Sequence, residues 1–107
     1  MAFTVGASLL DACVLSILSE GDAYGYFLTQ SIKSVLSLSE STLYPVLRRL
    51  EQGNYLLTYD KPFQGRNRRY YSITESGRAQ LELFRRQWQE YKNNLDNLLL
   101  KGVKEND

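Results

Sequence analysis

The feature that most constrains this chain is a heptad repeat in its last third. Leu81, Phe84, Trp88, Tyr91, Leu95 and Leu98 step by 3, 4, 3, 4 and 3. That is the a/d spacing of a helix that buries one seam against another helix. From Thr74 to Leu100 such a helix runs roughly 40 Å, at about 1.5 Å per residue. The chain has 107 residues, so the body preceding this helix can cover only part of it. An apolar stripe left over in a protein this small seeks another chain. We therefore expect these six residues to form a homodimer interface, the alternative being a core helix packed wholly within one chain.

Composition narrows the chemistry. Hydrophobic residues make up 43% and charged residues 23%, an ordinary balance for a folded domain. There is no histidine and one cysteine, Cys13. This excludes an intrachain disulfide, Cys/His zinc sites, and Ser-His or Cys-His catalysis. Cys13 reads as a small hydrophobe on an apolar helix. No nucleophile–base pair, metal cluster or phosphate-cradling loop is visible, so no catalytic residue, metal or cofactor is expected. The apolar run Ala7–Leu18 is broken by Asp11, and no Lys or Arg precedes Lys33. It reads as neither a membrane span nor a signal peptide, and a cytoplasmic location without membrane contact is expected.

The net charge of +1 hides an uneven distribution. Residues 1–44 carry −3, residues 45–73 carry +4, and residues 74–107 carry 0. A basic middle third matters more to a polyanion than the total does.

Leu9–Leu18 reads as a first helix, ended near Gly21. A second is expected over "DAYGYFLTQSIKSVL", capped by Asp22, with Tyr24, Leu28, Ile32 and Val35 on its inner face. The third, "SLSESTLYPVLRRLEQG", has Ser37 with Glu40 as a capping box and Ser39 as a second cap. Leu43, Val46, Leu47 and Leu50 form its core stripe, and Gly53 ends it. Pro45 either falls in the first turn or is tolerated as a kink. "YLLTYDK" and "RRYYSI" are strand-like, and "PFQGRN" between them has turn composition. A hairpin with a six-residue tip is expected. Thr74 then caps the heptad helix, and Lys101–Asp107 is a polar tail expected to fray.

Three helices, a hairpin and a helix, with a short serine-rich turn joining the second and third, is the layout of a winged helix-turn-helix. In that layout the third helix enters the DNA major groove and the hairpin wing lies near phosphates or the minor groove. The stripe on the third helix leaves Ser41, Thr42, Tyr44 and Arg48 facing outward. Arg48 suits a guanine edge or a phosphate, and Arg48 with Arg49 reads otherwise as a solvated cationic face. The wing supplies Lys61, Arg66, Arg68 and Arg69. Guanidinium forks suit phosphate oxygens, although cations also keep a hairpin edge from pairing with other sheets. A two-fold dimer would meet a pseudo-palindromic operator.

These residues resemble the PadR family of bacterial transcriptional regulators. The resemblance rests on "YGY" (Tyr24–Tyr26), "SESTLYPVLRRLEQGNYL" (Ser39–Leu56) and "GRNRRYYSITESGR" (Gly65–Arg78). It extends over about residues 9–100. It implies a mainly α fold with a small β-hairpin: a winged helix-turn-helix DNA-binding domain over 1–74, and a long C-terminal dimerisation helix and tail over 75–107. It implies a homodimeric repressor of double-stranded operator DNA. The expected DNA-binding set is Tyr24, Ser39, Ser41, Thr42, Tyr44, Arg48, Arg49, Arg66, Arg68 and Arg69. Ser41 departs from the family, where glycine is frequent. Some members of the short branch bind planar aromatic or cationic compounds between the paired helices through a tryptophan. Trp88 matches that place, as a shelf for such an effector or as a packed interface residue. A winged-helix module that binds protein instead of DNA is the alternative reading.

Overall fold

The computed structural model describes residues 7–102. In chain order the elements are α1 (Ala7–Ser19), β1 (Ala23–Tyr24), α2 (Gly25–Lys33), α3 (Glu40–Gln52), β2 (Leu56–Phe63), β3 (Arg66–Ile73) and α4 (Glu75–Leu99). The expected mainly α architecture with a small β-hairpin, a winged helix-turn-helix followed by one long helix, is the fold observed. The strands form an antiparallel sheet in the order β1-β3-β2. Residues 103–107 of the expected tail lie outside the described part.

The core is built where the apolar periods meet. Val14, Leu15 and Leu18 of α1 pack with Leu28 and Ile32 of α2 and with the α3 stripe of Leu43, Val46, Leu47 and Leu50. The sheet adds Ala23, Leu56 and Tyr71, and α4 adds Leu81 and Phe84. Burying a leucine side chain is worth about 1.5–3 kcal/mol, so this cluster fixes how α3 and the hairpin sit on α1.

Local chemistry corrects several expectations. Asp22 does not cap α2, because β1 intervenes and Tyr24 occupies the N-cap. Asp22 instead accepts a hydrogen bond from the Tyr59 hydroxyl at 2.7 Å. Val35 lies past the end of α2 and is 79% exposed. At α3 the N-cap is Ser39, not Ser37, and its side chain makes no capping bond. Pro45 sits inside α3 on an exposed flank, where water can serve the carbonyl left without a partner. Gly53 ends α3 with φ −85°, and the left-handed residue is the next one, Asn54, at φ 66°.

The hairpin tip is two residues, not six. Gln64 and Gly65 both have positive φ, 51° and 78°, the twist that suits a two-residue turn. Phe63 pairs with Arg66 and Pro62 with Asn67. Strand geometry therefore assigns Phe63 and Arg66 to a defined face. Pro62 lies on the edge strand β2, where a sheet tolerates a missing donor.

The upper part of the heptad seam is intramolecular. Leu81 and Phe84, expected at a dimer interface, are 3% and 7% exposed within this single chain. They pack into its own core, because α1 already covers the first turns of α4.

The residues "TESG" tie α3, the hairpin and α4 together. The Thr74 hydroxyl donates to the Asn54 carbonyl at 2.7 Å and accepts from the Gly77 amide at 3.0 Å, and Ser76 also donates to Asn54. A Cβ on Gly77 would stand 2.3 Å from the Tyr55 carbonyl oxygen and 2.8 Å from Ile73. Gly77→Ala should therefore cost about 2–3 kcal/mol, as overpacking against backbone does. Urea unfolding checks this: an unchanged midpoint would contradict the close approach.

Candidate nucleic-acid interface

Two flanks of α3 have different neighbours. Tyr44 and Arg48, one turn apart, face the wing, while Pro45 and Arg49 lie on the other flank. Tyr44, Arg48, Arg68, Arg69 and Tyr71 line one open cavity of about 670 Å³, closed on its third side by Tyr24, Gly25 and Tyr26 at the start of α2. The groove thus runs between α3, the first turn of α2 and the wing.

Gly25 makes this junction close. A Cβ there would stand 3.2 Å from the Tyr44 hydroxyl and 3.3 Å from its ring, so the tyrosine lies directly on the α2 backbone. At the other end of the groove, β3 alternates. Tyr71 points into the core at 8% exposure. Arg69 shares its face and meets Asp60 at 3.8 Å, a solvated pair worth little. Burial pushes the Tyr71 hydroxyl above its ordinary pKa, with Arg69 acting in the opposite direction. The phenol therefore stays a neutral donor at physiological pH.

Most cations at the groove and wing tip are free of carboxylates. Arg48, Arg66 and Arg68 form no ion pair with a carboxylate among the described residues. A planar guanidinium in that condition can give two N–H groups to one phosphate. The first turn of α2 adds backbone amides without helical acceptors, and a positive dipole end.

The expected residues divide into groups. Tyr24, Tyr44, Arg48, Arg68 and Arg69 converge on the groove. Ser39, Ser41 and Thr42 cluster at the exposed N-terminus of α3, with the Ser39 hydroxyl 2.9 Å from that of Ser41 and 3.3 Å from that of Thr42. Arg66 lies at the wing tip, around a smaller cavity it shares with Phe63, Gln64, Asn67 and Arg68. Arg49 is a correction: it turns away from the groove and forms a hydrogen-bonded ion pair with Asp11 of α1. Sequence reasoning missed Gly25, Tyr26 and Tyr71 as groove residues, although the "YGY" and "RRYY" motifs contain them.

The matched relatives decide the family. A model of the transcriptional regulator PadR-like family matches residues 14–83. This chain belongs to the PadR-like family. Its relatives include the transcriptional regulator Rv3488 of Mycobacterium tuberculosis, 36% identical over 78 residues, which span 72% of this chain and 73% of that protein. The structure of smu.1704 from Streptococcus mutans superposes with a TM-score of 0.85 at 40% identity, covering 98% of this chain and 99% of the other. A PadR family transcription regulator from Clostridium difficile superposes at 0.78 with 30% identity, covering 84% and 97%. PadR regulators bind DNA and are not enzymes, and this chain is a DNA-binding transcriptional regulator. No described helix is long and apolar enough to cross a membrane.

Asp11 gives a pH test of the Arg49 correction. Burial raises the Asp11 pKa above the ordinary carboxylate value, and Arg49 pulls it back down. Burial is the larger of the two effects, so the net shift is upward. Arg49 stabilises only the ionised form, so its benefit is present above the Asp11 pKa and vanishes as pH falls through it. Arg49→Ala should lower stability by about 1 kcal/mol or less at neutral pH, with no loss in acid where Asp11 is protonated. Chemical denaturation across pH measures this; a loss independent of pH would contradict the pairing.

Proposed function

We propose that this PadR regulator is a homodimeric repressor that acts in the cytoplasm by occupying a pseudo-palindromic operator. The observation that carries the reading is the convergence of Tyr44 and Arg48 of α3 with Arg68 and Arg69 of the wing on one open groove. Ser39, Ser41 and Thr42 present hydroxyls at the α3 terminus that leads into DNA. Arg48 meets a base edge or phosphate, while Arg66, Arg68 and Arg69 meet phosphates alongside. Tyr24 supports the start of α2 against the backbone.

The outer half of α4 supports the dimer. Trp88 is 39% exposed, Leu98 and Leu99 exceed 65%, and Tyr91 and Leu95 are half-buried on a single chain. The molecule measures 62 × 26 × 22 Å, as expected of a helix extending well past its body. The working division is then a DNA-binding body in residues 1–74 and dimerisation through 75–107, with the seam starting at Trp88, below Leu81 and Phe84.

An apolar cavity of about 200 Å³ between α1 and α4 favours an effector reading of Trp88. Leu9, Ala12, Cys13, Phe84 and Trp88 are among the residues that line it. A planar aromatic or cationic compound stacking there would release the operator by shifting the paired helices.

Two measurements test the proposal. Arg68→Ala with Arg69→Ala should weaken binding to all duplexes about equally, and should flatten the dependence of log affinity on log salt by about 0.9 per lost contact. A change selective for one base pattern would contradict the phosphate assignment. Leu95→Asp with Leu98→Asp should yield monomers in sedimentation and abolish tight operator binding. An unchanged dimer would remove α4 as the interface.

A further inference from the structure

The outer face of the wing carries an arrangement that DNA contact alone does not require. Arg68 lies on the central strand β3, and its guanidinium carbon is 3.7 Å from the centre of the Phe63 ring and 4.1 Å from that of Tyr24. The register explains the sandwich. Phe63 on β2 stands opposite Arg66, and Tyr24 on β1 stands opposite Tyr70. Arg68 is therefore diagonal to both, within reach of long side chains. An aromatic row continues from Tyr24 to Tyr70, tilted by 55° with ring centres 5.6 Å apart, and on to Tyr59, stacked on Tyr70 at another 5.6 Å and anchored on Asp22. Phe63 is 41% exposed, so burial of that ring does not account for its place.

We propose that Phe63 is a positioning residue: with Tyr24 it clamps the Arg68 guanidinium so that the wing presents a preset phosphate fork. This inference rests on the DNA-binding reading of the groove. Stacking occupies the two faces of the guanidinium and leaves its in-plane N–H groups outward. Arg68 borders both the groove and the tip cavity, and it has no carboxylate partner among the described residues. A free arginine side chain loses much rotamer freedom when it binds a phosphate, and a clamped one has already lost it. Tyr24 also immediately precedes α2, so the same clamp holds the wing tip in register with α2 and α3. Arg66 has no such stack among the described contacts, and Arg69 turns to Asp60.

The test is a double-mutant cycle on a mixed-sequence duplex of about 30 base pairs at about 50 mM salt, where phosphate contacts dominate. Phe63→Ala should lower affinity about two- to fivefold, the range of an exposed cation–π contact. The same change should have no effect in an Arg68→Ala background. Phe63→Tyr should retain affinity, while Phe63→Leu, which keeps bulk without an aromatic face, should behave like Ala. Equal losses in both backgrounds, or no loss in either, would overturn the proposal. A DNA-free readout separates it from the reading beneath it. In the free protein the Arg68 Hδ resonances should be shifted upfield by the two rings and should relax towards random-coil values in Phe63→Ala. Unshifted resonances overturn the clamp whatever the DNA result. Shifted resonances in a wild-type chain that binds no duplex would refute the DNA reading and reduce the clamp to a stiffener of the hairpin, which also overturns the positioning role.

Discussion

The packing of the α3 stripe on α1 is the constraint on which the interface depends. Leu43, Val46, Leu47 and Leu50 are each at most 5% exposed, and their partners on α1 are equally dry. That contact sets the rotation of α3 about its own axis. Rotation in turn decides that Tyr44 and Arg48 look at the wing while Arg49 looks at α1. A helix turned by one residue, about 100°, would exchange those roles and break up the groove. The Asp11–Arg49 pair is a small electrostatic latch on the same choice.

The second constraint is the knot at the foot of the wing. Thr74, Ser76 and Asn54 share hydrogen bonds, and Gly77 lets α4 lie against the Tyr55 backbone. The hairpin is therefore fixed at its base by α3 and α4, and along its outer face by stacked aromatic rings. Beyond these contacts the distal half of the hairpin, residues 59–67, is exposed. A wing held at both levels can deliver cations to a duplex without first being ordered, which lowers the entropic cost of binding.

Much of this was legible in the sequence, and the omissions have physical reasons. Apolar periodicity gives the helices and composition the hairpin, but the two-residue β1 reads as the start of α2; the motif residues give Tyr24, Tyr44, Arg48, Arg68 and Arg69, which line the groove. Heptad spacing is indifferent to whether its partner is α1 or a second chain, so it does not separate Leu81 and Phe84, which pack in this chain's own core, from the residues beyond them. A stripe at 43, 46, 47 and 50 marks the buried side of α3 but not which neighbour lies on each flank, so it does not separate Arg49, paired with Asp11, from Arg48 in the groove. Pro62 and Asn67 have turn composition yet pair within the strands, while the two residues that turn include Gln64, an uncommon choice for positive φ. The Phe63–Arg68–Tyr24 sandwich needs the strand register, which a one-residue slip would undo.

The most direct test of the interface is hydrogen–deuterium exchange of the wild-type protein, free and bound to a duplex enriched by the protein from random sequence. Protection on binding should concentrate at the start of α2, the N-terminal half of α3 and the wing tip, at Tyr24–Tyr26, Ser41–Arg48 and Gln64–Arg69. Protection confined to α4, or spread evenly over the chain with none in the groove, would contradict the assignment of this face to DNA.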